Sequence, residues 1–138
     1  TDEPNTSEVP VLVVDDNPMF CRIVERLLKR ESFQVSFAEN GRVALEMLVG
    51  QLSFLPKVII CDLHMPEMNG KEFIQCLKQD SRLRSIPVIM LTSDDGVEAE
   101  VAALETGADA LVSKTKDPRV LCAQVLRLSK GGSLQEAA

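Results

Sequence analysis

Five short strand candidates, two of them built on the unbroken apolar runs 11–14 and 58–61 and each followed by a stretch of helical periodicity, leave this chain few folds to choose from. The candidates span Val9–Val14, Phe33–Ala38, Lys57–Cys61, Pro87–Leu91 and Ala110–Ser113. Apolar segments this short, bounded by polar residues, suit strands buried on both faces of a parallel sheet. Strand–helix units in series then predict an α/β domain, doubly wound, with right-handed crossovers and helices on both faces of the sheet.

The intervening segments carry helix signals of their own. Asn17 is a candidate cap before Pro18, a residue tolerated at a first helical position because the N–H it lacks has no partner there. Phe20, Ile23, Val24, Leu27 and Leu28 follow at helical spacing and predict a core-facing stripe. A second helix begins near Asn40 and Gly41 and carries Val43, Ala44, Met47 and Leu48. A third follows Asn69 and Gly70 and buries Phe73, Ile74 and Leu77. Asp95 and Glu98 have the spacing of a capping box for the fourth, which stops before Gly107. Its apolar face is thin: Val97, Val101, Ala102 and Leu104. The fifth is capped by Asp117 ahead of Pro118 and turns Val120, Leu121, Val125 and Leu128 inward.

Two strands end in acids. Asp15 and Asp16 close the first, and Asp62 follows the third. With those strands side by side, all three carboxylates share one crevice at the carboxyl edge, where such sheets bind ligands. Two bare carboxylates about 4 Å apart repel by roughly 4 kcal/mol at an effective dielectric of 20. A hard divalent cation with oxygen ligands relieves that repulsion, so the cluster reads as a Mg²⁺ site, with Mn²⁺ as the substitute.

Composition narrows the function classes. A chain of 138 residues with 45% hydrophobic content supports one domain and leaves no room for a second module. Residues 9–130 are expected to form it, with 1–8 and 131–138 as polar or small-residue tails. Net charge is −6 with no basic stripe, against direct nucleic-acid binding. No apolar stretch is long enough to span a membrane. The polar, acidic N-terminus is unlike a signal peptide, and its missing initiator Met points to processing or to excision from a longer chain. Cys21, Cys61, Cys76 and Cys122 lack metal-site spacing and read as free thiols of a cytoplasmic protein.

Four separated motifs now stand at strand ends: Val13-Val14-Asp15-Asp16-Asn17, the stretch Asp62-Leu-His-Met-Pro-Glu-Met-Asn-Gly70, Leu91-Thr92-Ser93, and Gly107-Ala108-Asp109-Ala110 with Lys114. Together they resemble the receiver domain of two-component response regulators, and the single-domain chemotaxis regulator in particular, over about residues 9 to 130. The resemblance implies a flavodoxin-like strand order, 2-1-3-4-5, whose reversal point falls between the strands ending in Asp15-Asp16 and Asp62. It implies Asp62 as phosphoryl acceptor from the phosphohistidine of a histidine kinase or phosphotransfer protein. Asp16 would ligate Mg²⁺ directly, Asp15 largely through water, and the His64 backbone carbonyl would add an oxygen. Thr92 and Lys114 would each contact the phosphoryl group. His64 and Asp94 would set the hydrolysis rate, and Thr92 would couple to position 111 as a switch toward an unidentified downstream protein.

Two positions depart from the family pattern. Thr115 follows Lys114 where the family often has a cis proline, leaving a trans loop or a strained cis one. Leu111 stands where an aromatic often reports the switch.

Simpler readings compete with these. Paired acids can merely favour a helix N-terminus, Thr92 can be an ordinary strand residue, and Lys114 and His64 can be solvated. Met19, Phe20 and Cys21 fit either core packing or a docking patch. Among other functions, a Mg²⁺-dependent phosphohydrolase with an Asp nucleophile wants Asp-x-Asp after its first strand. A flavin carrier wants a hydroxyl-rich loop and ring-stacking aromatics, yet the chain has neither Trp nor Tyr. A phosphorylation-independent scaffold would not need Asp16, Asp62, Thr92 and Lys114.

Overall fold

The computed structural model describes residues 8–51, 55–65, 67–93 and 96–130. Five parallel strands lie in the order β2-β1-β3-β4-β5. They are β1 (Val9–Val14), β2 (Phe33–Ala38), β3 (Val58–Asp62), β4 (Val88–Thr92) and β5 (Ala110–Ser113). The helices between them are α1 (Pro18–Arg30), α2 (Gly41–Glu46), α3 (Gly70–Gln79), α4 (Val97–Thr106) and α5 (Pro118–Ser129), and α2 runs on into a wide π turn at Met47–Gln51. No helix among the described residues is long and apolar enough to cross a membrane.

Side chains alternate across the sheet and build two cores. On one face Leu12, Val14, Ile59, Cys61 and Met90 pack with Ala44, Phe73, Ile74, Leu77 and Ala103 from α2, α3 and α4. On the other, Val11, Val13, Ile60, Ile89 and Leu91 pack with Val24 and Leu28 of α1 and with Leu121 and Val125 of α5. The central strands β1, β3 and β4 are buried on both sides, which accounts for their apolar runs, whereas edge strand β2 carries the polar Gln34 and Ser36.

Capping follows the sequence at most helix starts. Asn17 Oδ1 accepts the N–H groups of Met19 and Phe20, Asn40 Oδ1 accepts that of Val43, and Asn69 with Glu72 forms a reciprocal box. Gly107, at φ +88, ends α4 in the left-handed conformation that glycine adopts without strain.

Several expectations need correction. β3 and β4 each begin and end one residue later than expected, because the ladder pairs Asp62 with Leu91 and Thr92 with Ser113. The cap of α4 is Gly96, with no side-chain cap bond; Asp95, expected there, lies outside the described residues. Ala103 is the α4 side chain buried in the core, whereas Val97 and Leu104 are 74% and 70% exposed, and Val101 is exposed too. Ile23 and Val120, expected inward, are 46% and 42% exposed, because each lies at the margin of its helix's packed face. No peptide bond among the described residues is cis, so the Lys114–Thr115 loop is trans. All four cysteines are free.

Candidate functional site

The carboxyl edge of the sheet gathers side chains from the ends of β3 and β4 and from the loops after β1 and β5. Asp15 follows β1 directly, and its N–H donates to the Ala38 carbonyl at 2.9 Å, so the backbone pairing with β2 fixes where the chain turns away. The Asn17 N–H then donates to Asp15 Oδ1 at 2.9 Å and holds the carboxylate. Asp62 is the last residue of β3, and its Oδ1 accepts the His64 N–H at 3.0 Å. Asp15 and Asp62 are buried, while Asp16 is exposed. Ligand oxygens of the three acids lie within 4.8 Å of one another.

Lys114 enters from the far side. Its backbone N–H donates to the Thr92 carbonyl at 2.7 Å, which anchors the loop after β5 to the end of β4. Its ammonium Nζ sits 2.7 Å from Asp15 Oδ2 and 2.9 Å from Asp62 Oδ2. Burial opposes the charge on Lys114, yet the contacts with Asp15 and Asp62 outweigh it and hold the group above the ordinary lysine pKa. For Asp15 the balance runs the other way. Burial pushes its carboxyl up, and Lys114 and the Asn17 N–H recover only part of that shift. Thr92 is buried at the last position of β4.

The residues fit a divalent cation. Three acids and one ammonium leave two negative charges in the notch. Asp15 Oδ2 is fully buried, and among the described residues the Lys114 ammonium at 2.7 Å is the one group that meets it. An oxygen with that unmet capacity is a ready ligand for a hard cation. Nearby, the Cys21 S–H points to the Asp15 carbonyl at 3.6 Å, and burial, reinforced by the Asp15 charge, pushes the thiol up to about 11.

Of the residues expected at the site, the structure brings Asp15, Asp16, Asp62 and Lys114 together, with Thr92 at the adjoining strand end. His64 is exposed beside the acceptor position. Leu111 is half-buried on β5 and borders a groove with Ala103 and Leu104 of α4, away from the acids. Asp94 lies outside the described residues.

Two contacts escaped the sequence. The Phe20 ring lies under the Lys114 ammonium, 4.9 Å from Nζ to the centroid. Glu67, in the loop after Asp62, takes a left-handed φ of +67, and its carboxylate accepts from Asn40 and Arg42 at 3.3 Å. The first carries no signature beyond an aromatic in the first turn of α1. The second carries none, because Glu is not a residue that announces a left-handed conformation.

Comparison with known proteins agrees with this geometry. A family model for the response regulator receiver domain matches residues 11–126. Chemotaxis protein CheY1 of Helicobacter pylori is 38% identical over 112 residues, covering 80% of this chain and 89% of that protein. The receiver domain of a signal transduction histidine kinase from Syntrophus aciditrophicus superposes with a TM-score of 0.80 at 34% identity, covering 91% and 93% of the two chains. The Mn²⁺-bound response regulator Rcp1 superposes with a TM-score of 0.72 at 26% identity, covering 85% of this chain and 88% of that one. Domains of this family act in signalling, interact with histidine kinases and typically bind a divalent metal at an acidic cluster. With its five-stranded order, its acidic notch and its bridging lysine, the chain belongs to the receiver-domain family of two-component response regulators.

Proposed function

We propose that Asp62 accepts a phosphoryl group from the phosphohistidine of a histidine kinase or phosphotransfer protein, with residues 9–130 as the working unit. Asp15, Asp16, Asp62 and the His64 backbone carbonyl are the residues that would hold Mg²⁺, or Mn²⁺ in its place. Bound there, the divalent ion offsets negative charge on the phosphoryl oxygens. In the transfer, a carboxylate oxygen of Asp62 forms the new P–O bond while the donor's P–N bond breaks and the imidazole keeps the electron pair. An in-line transfer of this kind asks the protein mainly for positioning and charge compensation.

One observation carries the reading: the Lys114 ammonium lies 2.9 Å from Asp62 Oδ2 within a three-acid notch. A fixed cation beside the attacking carboxylate is in place before charge gathers on the transferred group, so little reorganisation remains at the moment of reaction. Thr92, at the neighbouring strand end, donates its hydroxyl to a phosphoryl oxygen. That new bond draws on the end of β4 and biases the groove that Leu111 shares with α4, changing affinity for a downstream protein. His64 and Asp94 tune the water that hydrolyses the acyl phosphate. The four free thiols support a cytoplasmic setting.

Acetyl phosphate with Mg²⁺ tests the assignment. The wild type acquires an acid-stable, base-labile phosphoryl group, and Asp62→Asn stays unlabelled. Equal labelling of both proteins overturns it, and steady turnover of a phosphate ester by the wild type points to a hydrolase.

A further inference from the structure

We infer that Phe20 is a positioning residue for Lys114, holding the ammonium in place by the face of its ring when the acids of the notch are otherwise engaged. The inference rests on the acceptor reading above.

Among the described residues, Lys114 Nζ meets Asp15 Oδ2 at 2.7 Å, Asp62 Oδ2 at 2.9 Å and the Phe20 ring at 4.9 Å to the centroid. The first two are also the groups that a divalent ion and a phosphoryl group would claim. A carboxylate committed to another cation attracts an ammonium less. The ring is uncharged and ligates no hard metal, so its attraction for Lys114 survives that change. A lysine stem has four flexible carbons, and an ammonium without a directional partner loses its geometry easily. The ring therefore supplies an anchor that the chemistry does not consume.

Local structure puts Phe20 there and keeps it there. It sits in the first turn of α1, where its own N–H donates to the capping Asn17 Oδ1 at 3.2 Å. The ring is only half-buried and packs on the α1–α5 side of the sheet. Phe20 and Lys114 border the same narrow crevice, together with Leu91, Val112, Pro118 and Leu121. Core packing alone asks for an apolar side chain at this position and does not ask for a π face.

Three substitutions, two of them also combined, and two readouts test the inference. In metal-free, isotope-labelled wild type, the ring shifts the Lys114 ε-protons upfield in the NMR spectrum. Phe20→Leu keeps an apolar side chain but abolishes the shift, and Phe20→Tyr retains it. With acetyl phosphate and saturating Mg²⁺, Phe20→Leu labels about threefold to tenfold more slowly, as loss of a partly desolvated cation–π contact implies. Phe20→Tyr labels within about twofold of the wild type, since the π face is preserved. In a Lys114→Met background, Phe20→Leu produces no further slowing. The inference is overturned if the wild-type Lys114 protons match those of the Leu variant, or if the Tyr variant is as slow as Leu. Further slowing in the Lys114→Met background overturns it as well. Equal labelling of wild type and Phe20→Leu removes this inference and leaves the acceptor reading standing. A wild type that takes no label removes both.

Discussion

A Cβ built on Gly70 would lie 2.6 Å from the backbone carbonyl oxygen of Asp62. The start of α3 therefore packs directly on the strand end that presents the acceptor, and the Gly70 N–H donates to the Leu63 carbonyl at 3.1 Å across the same contact. Backbone cannot retreat as a flexible side chain can. Gly70→Ala is expected to destabilise the fold by about 1–3 kcal/mol, the range for overpacking. It is also expected to slow labelling at Asp62 by displacing the strand end. Urea unfolding followed by far-ultraviolet circular dichroism, paired with acetyl phosphate labelling, checks both. An alanine variant as stable and as reactive as the wild type would show that the loop simply shifts aside.

Much of this site was legible before any coordinates, for a physical reason. Parallel strands buried on both faces must be apolar along their length, so Asp15, Asp16 and Asp62 stood out at the carboxyl edge, although paired acids there also suit a helix N-terminus. The reach of Lys114 was not legible in that way. Its 52-residue separation from Asp62 is bridged by topology, and only the resemblance to a family suggested it. Phe20 fitted core packing equally well, and its ring contact exists only because α1 and the β5–α5 loop meet. Glu67 was invisible for a different reason, since its left-handed backbone follows from neighbours rather than from its own preference.

The face of α4 was misread, and the misreading makes a prediction. Val97, Val101 and Leu104 recur at helical spacing, but that stripe faces outward and Ala103 faces the core. Periodicity reports an apolar stripe without saying whether something covers it, and much of any protein surface is apolar. Leu104→Ser should change stability by no more than about 0.5 kcal/mol, as for other exposed positions. Ile74→Ala, from the fully buried face of α3, should cost about 2–5 kcal/mol through lost contact and an unfilled cavity. Denaturant midpoints for the two variants decide the matter, and a large loss at Leu104 would mean that α4 packs with its other face inward.

At the start of α5, Asp117 both caps the helix and pairs with Arg119, whose guanidinium approaches Oδ2 to 2.6 Å. The Arg119 side chain first, and its backbone N–H second, hold the Asp117 carboxyl down at about 2, against an ordinary value of 3.8. A folded-state pKa below the unfolded one gives stability that is present above the unfolded value and is lost as pH falls through the folded one. The stability difference between wild type and Asp117→Asn should therefore shrink as pH falls from about 4 toward 2. Because both side chains of the pair are exposed to solvent, added salt should reduce the difference at any pH. A difference that stays constant with pH would show that the cap acts through geometry alone.

Lys114 has opposite effects on the two things the notch is proposed to do. Its ammonium already compensates Asp15 and Asp62, and so it competes with a divalent ion for the same oxygens. An ammonium and a divalent ion a few ångströms apart repel by about 1–2 kcal/mol even at the dielectric of water. Lys114→Met should then bind Mg²⁺ about tenfold more tightly at low salt. The same substitution removes a fixed positive charge from beside the attacking carboxylate, so labelling at Asp62 should slow by at least about tenfold. Calorimetry measures the first quantity, since a chain with no Trp or Tyr offers little intrinsic emission to follow. The opposed signs make the pair informative. A variant that merely misfolds loses both activities, whereas a lysine with no part in the site changes neither.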